Sequence, residues 1–208
     1  IPLKRFADAP YRPRLVVPLD NRFIDFCVRQ SFAGRTALND KLIAKMDNQG
    51  NVISGGFTES QDLRARTGNI NIASTDTLTA HNIKLTSDAR PMNVNGTLDA
   101  SAYGPHTDGG TVELYAGNNV EMSGTISAKG ANGGSILLGS ANGSVNINSG
   151  AMVDVSSGAG GTGGAIYLRA RRNGEMGNDA NMRILGTVTG QSNIFAEAFW
   201  VYDNVAAI

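Results

Sequence analysis

The chain has 208 residues, 18 Lys and Arg against 18 Asp and Glu, 26 Gly, one Trp and one Cys, for a formal net charge of zero. That is enough chain for one or two domains with a real core, and the lack of a basic surplus excludes a nucleic-acid binder that works by neutralising phosphates. One cysteine excludes a disulfide framework or a multi-cysteine metal site, and no run approaches the roughly 18 apolar residues of a membrane span. The opening Ile1-Pro2-Leu3-Lys4-Arg5 has neither Met nor a signal-type apolar core, which leads us to expect a processed product or fragment.

Composition changes near residue 67. Residues 1–67 hold 4 glycines, 11 basic and 7 acidic residues, a net of +4; residues 68–208 hold the other 22 glycines, 7 basic and 11 acidic residues, a net of −4. We therefore expect a basic, Pro-rich N-terminal arm over 1–67 and a separate repeat domain over 68–208.

Pro2, Pro10, Pro13 and Pro18 each remove a backbone donor and push the preceding residue out of helical geometry, so the arm begins extended. The alternation over 22–28 predicts a strand. Leu38, Leu42 and Ile43 fall at helical spacing, which predicts a short helix over 36–46, closed by the turn residues 47–51.

The second part repeats with a period of about 28 residues. Val112, Ile136, Ile166 and Ile194 open equivalent strands 24, 30 and 28 residues apart. Three of these strands follow glycine pairs: Gly109-Gly110, Gly133-Gly134 and Gly163-Gly164. A second strand type is Met92-Val94, Val120-Met122, Val145-Ile147 and Met182-Ile184; a third is Leu98-Ala100, Ile126-Ala128, Val153-Val155 and Thr187-Thr189. All alternate apolar with polar residues, as strands with one buried face do. A unit this small cannot bury its own apolar face, whereas stacked units close three parallel sheets around one interior. The expected fold is all-β, a parallel β-helix (β-solenoid) of about four coils, with a hairpin-built sandwich as the competing architecture.

The strings Gly163-Gly-Ala-Ile166-Tyr-Leu168-Arg-Ala170 and Gly124-Thr-Ile126-Ser-Ala128-Lys-Gly130 resemble the repeats of filamentous-haemagglutinin-type bacterial exoproteins over residues 68 to about 200. That resemblance implies a right-handed parallel β-helix, secretion across the outer membrane, and a role as adhesin, matrix or scaffold component. The Asn-Pro-Asn motifs of that family's secretion domain do not occur here.

Candidate chemistry is sparse. Gly158-x-Gly160-x-x-Gly163 has dinucleotide-fingerprint spacing but runs into a strand, not a helix, so its glycines read as corners. Stacking of the third strands would align Asp99, Ser127, Asp154 and Thr189, with the two carboxylates two coils apart and no acid partner evident; His81 and His106 sit in or beside turns. On the first strands the outward positions read Glu113, Leu137, Tyr167 and Phe195, then Tyr115, Gly139, Arg169 and Glu197, placing apolar side chains where water is expected. Arg169, Arg171 and Arg172 form a basic cluster, and Arg12 and Arg14 add charge from the arm.

No catalytic, cofactor or metal site is expected. The partner-binding residues are expected among Leu137, Tyr167, Phe195, Arg169, Arg171, Arg172, Arg12 and Arg14. Their partners would be other proteins, further coils of the same protein, or cell-surface polysaccharide. The expected role is a non-enzymatic, secreted or bacterial surface-associated scaffold and docking surface. A component of a larger secretion or phage assembly and a carbohydrate-active β-helix enzyme are the alternatives.

Overall fold

A computed structural model gives the structure of the chain and describes residues 58–103, 106–173 and 179–200, together with the backbone of four earlier strands. β1 (Arg14–Leu19) pairs antiparallel with β2 (Arg22–Cys27), and β3 (Lys45–Met46) with β4 (Val52–Ile53). Apart from Lys45–Met46, the expected helix over 36–46 lies outside the described residues, as does Arg12.

From Ser60 the chain winds through five coils of three strands each. The first comprises β5 (Ser60–Ala65), β6 (Ile70–Ile72) and β7 (Thr77–Thr79). The second comprises β8 (Asn82–Ser87), β9 (Met92–Val94) and β10 (Thr97–Asp99). The third comprises β11 (Thr111–Ala116), β12 (Val120–Met122) and β13 (Thr125–Ser127). The fourth comprises β14 (Ser135–Ser140), β15 (Val145–Ile147) and β16 (Met152–Asp154). The fifth comprises β17 (Gly164–Arg171), β18 (Met182–Ile184) and β19 (Thr187–Thr189), after which β20 (Gln191–Phe199) adds a sixth strand to the first sheet. Each sheet is wholly parallel and its strands follow chain order, the topology of a parallel β-helix.

Register explains why these short strands hold. Ile83, Val112, Ile136, Ile166 and Ile194 are successive partners, and Leu63, Leu85, Leu114, Leu138 and Leu168 form the adjacent inward column. The other two sheets add Met92, Val120 and Val145 and then Leu98, Ile126 and Val153, all fully buried. Burying each such side chain stabilises the coil by about 1.5–3 kcal/mol relative to leaving it exposed. No single coil could bury these side chains by itself.

The helix has one coil more than the repeat spacing suggests, and β5 falls inside the segment expected as arm. Two features of β5 hide it. Its first residue, Ser60, precedes its partner Asn82 by only 22 residues, and Gln61 occupies the place that Ile83 and Val112 hold above it. The Gln61 side chain is buried and donates from Nε2 to the Thr79 carbonyl (3.2 Å), so the polar substitution is satisfied inside the column.

The corner leading into the long-strand sheet is shaped by close backbone approach. A Cβ on Gly134 would lie 2.0 Å from the Gly110 carbonyl oxygen, and one on Gly110 would lie 1.7 Å from that of His81. Glycine is required there because the neighbouring coil leaves no room. Gly160, with φ of +79°, turns the corner within the glycine-rich run, and β17 follows directly, so that run is a turn between strands.

Candidate functional site

The outward face of the long-strand sheet carries two ladders in strict register. One runs Asp62, Lys84, Glu113, Leu137, Tyr167, Phe195, and the other runs Arg64, Thr86, Tyr115, Gly139, Arg169, Glu197. The lower half is charged and self-paired. Arg64 Nε lies 2.8 Å from Asp88 Oδ1, and Lys84 Nζ lies 3.5 Å from Glu113 Oε2 and 5.7 Å from the centre of the Tyr115 ring. Gly139 makes space for that ring, whose Cδ1 would sit 3.2 Å from any Cβ there.

The upper half of the first ladder is apolar, while that of the second carries the Arg169–Glu197 ion pair. Tyr167 and Phe195 stack with centroids 4.8 Å apart and planes 7° from parallel, yet remain 38% and 49% exposed; Leu137 beneath them is half-buried. Of the basic cluster, Arg169 is bound to Glu197 (3.1 Å) and its guanidinium lies 4.9 Å from the centre of the Phe199 ring. Arg171 follows on the same outward alternation, opposite Phe199, whereas Arg172 is exposed just past the strand. The structure thus brings Leu137, Tyr167, Phe195, Arg169 and Arg171 onto one face. Arg14 begins β1.

On the third sheet Asp99, Ser127, Asp154 and Thr189 are register partners. Their carboxylates serve the backbone. Asp99 Oδ1 accepts from the Ser101 N–H (3.0 Å), and Asp154 Oδ1 accepts from the Ser156 N–H (2.9 Å) and hydroxyl (2.6 Å). Burial pushes the Asp154 carboxyl up, but the Ser156 hydrogen bonds, the Lys129 ammonium 3.8 Å away and the Thr189 hydroxyl outweigh it and hold the group below its ordinary value. Two equivalent corners therefore use aspartate in the same way, as a turn cap.

One constellation escapes sequence reasoning. His81 and His106 stack at 3.8 Å with planes 8° apart, and His106 Nε2 lies 2.8 Å from Glu59 Oε2. The hydrogen bond from His106 holds the Glu59 carboxyl below its ordinary value, with the positive character of both imidazoles adding to it against a desolvation effect of opposite sign. These residues are 22, 25 and 47 positions apart, and only the winding of the coils brings them together. Among the described residues no group of three or more His, Cys, Asp or Glu has the geometry to hold a metal ion, and no helix is long and apolar enough to cross a membrane.

Comparison of the chain with protein-family models, curated proteins and solved structures finds no match. The β-helix architecture rests on the coil geometry itself.

Proposed function

We propose that this chain is a non-enzymatic structural β-solenoid of the filamentous-haemagglutinin type, secreted or held at a bacterial surface, whose long-strand sheet is a docking face. The observation that carries this reading is the exposed Tyr167–Phe195 stack above Leu137, flanked by Arg169 and Arg171, on a face whose lower half is closed by its own ion pairs. Aromatic and arginine side chains on a rigid sheet match the composition of interface anchors. The use of Asp99 and Asp154 as turn caps supports the non-enzymatic part, because the best-placed carboxylates already serve the fold.

Retention of protein-coated beads on bacterial cells tests the docking face. The double variant Tyr167→Ser/Phe195→Ser is expected to lower retention by about tenfold or more; equal retention overturns the reading. Incubation with polyuronides tests the other part: no chain cleavage is expected, and turnover that Asp154→Ala abolishes would establish a carbohydrate-active enzyme instead.

A further inference from the structure

We infer that His81, His106 and Glu59 form a proton-operated clasp that ties residue 106 to the first two coils and lets go in mild acid. The inference is independent of the docking face, which lies elsewhere on the long-strand sheet.

The clasp is assembled at the corner where the chain enters that sheet. Ser60, Asn82 and Thr111 are register partners, so the residues before them, Glu59, His81 and Gly110, stack coil upon coil. The backbone is closed there: the His81 N–H donates to the Thr58 carbonyl (2.8 Å), and the Thr111 N–H donates to the His81 carbonyl (2.9 Å). His106 arrives from the connection between β10 and β11, laying its ring on His81 and its Nε2 against Glu59. The residues after it are fastened in the opposite direction. The Ala131 N–H donates to the Thr107 carbonyl (2.7 Å), and Asp108 Oδ1 accepts from the Asn132 N–H and side-chain amide, both at 3.0 Å. A single short stretch thus links the first coil to the connection beyond the third.

The arrangement fits one proton and rejects two. A proton on His106 is answered by the Glu59 carboxylate. A proton on His81 is not: its Nδ1 is buried with no hydrogen-bond partner among the described residues, and it lies against Gly110, where even a Cβ would sit 2.9 Å away. Protonation there would bury a charged donor without an acceptor and set two cations face to face at 3.8 Å. At still lower pH Glu59 loses its charge, removing the remaining attraction. The other nearby charged groups are occupied or directed elsewhere: Asp108 bonds Asn132, Lys84 on β8 faces Glu113, and Asp62 on β5 is the register partner of Lys84. Histidine side chains in general change charge between about pH 5 and 8, the range over which the contact is to be followed.

The chain contains only two histidines, so isotope labelling of histidine in the full chain gives a two-residue spectrum. The expected result is an inter-ring NOE between His81 and His106 at about pH 7 that is lost by about pH 5, while in a second, uniformly labelled sample the amide signals of β14 stay in place. His81→Phe keeps a ring and removes the second proton site; in it the contact to His106 persists at about pH 5. Glu59→Gln removes the answering charge, and in it the contact is lost at higher pH than in the parent. Should His81→Phe fail to fold, the parent and Glu59→Gln decide the matter. A parent contact that survives at about pH 5, two variants that follow the parent curve, or loss of the contact only together with the β14 signals would each overturn the clasp.

Discussion

Tyr167 on β17 and Phe195 on β20 are register partners in consecutive coils, and their rings lie 7° from parallel. Their 4.8 Å separation is the strand spacing of a sheet. The fold therefore imposes the stack: any two aromatic residues at this ladder position would face each other at that distance. Because both rings are substantially exposed, a double-mutant cycle with Tyr167→Ala and Phe195→Ala should give a coupling of about 0.5–1 kcal/mol, the lower part of the range for aromatic pairs. Denaturant titration of the four proteins measures it, and a coupling of zero would mean the rings do not meet in solution.

The inward isoleucine column offers a gradient within one chemical series. Ile136 is fully buried between coils, whereas Ile194 is 47% exposed on the last described strand. Ile136→Ala should cost about 3–4 kcal/mol through lost burial and the cavity left behind, and Ile194→Ala less than about 1.5 kcal/mol. Equal costs from chemical denaturation would show that Ile194 is covered in solution.

Two glycines separate crowding from backbone conformation. Gly150 has φ of +87° with open space around its missing Cβ, so Gly150→Ala should cost about 1–2 kcal/mol, the strain of a left-handed residue alone. Gly134→Ala drives a methyl group into the backbone of the coil beneath and should cost about 3 kcal/mol or fail to fold. The thermal midpoints of the two variants rank them, and the reverse order would contradict the stacking at this corner.

Asp154 gives the fold a dependence on acid. Its carboxyl is held below the ordinary value in the folded chain, so the stability it contributes is present above the unfolded-state pKa and is lost as pH falls through the folded-state pKa. Asp154→Asn should therefore lower stability by about 1–2 kcal/mol at neutral pH and make stability flatter on the acid side than in the parent. Urea midpoints between about pH 3 and 7 test this; parallel curves for the two proteins would assign the acid dependence to other groups.

The coil-forming strands were legible because each obeys a period of two and because glycines mark the same corner in successive turns. Val112, Ile136, Ile166 and Ile194 could be aligned by eye and do stack. β5 was not legible as a coil because Gln61 breaks the apolar column, and a buried, bonded glutamine has the same sequence appearance as an exposed one. The outward ladder of Leu137, Tyr167 and Phe195 followed from the same alternation that gave the core. Glu59, His81 and His106 could not be joined this way, since neither histidine lies in a strand and the connection carrying His106 has no counterpart of equal length in the other coils. Periodicity reports what repeats; a contact made once by an irregular connection leaves no period to detect.

The connections into the long-strand sheet differ widely in length, from Gly190 alone before β20 to the stretch between Asp99 and Thr111, while the inward columns of the strands they join stay aligned, with one register shift, between Gly164 and Ala165, beside the shortest connection. Length variation at this one edge is thus mechanically decoupled from the sheets. Foreign peptides spliced into these connections ahead of the crowded glycines Gly110 and Gly134 would be displayed on a rigid spindle without disturbing its winding.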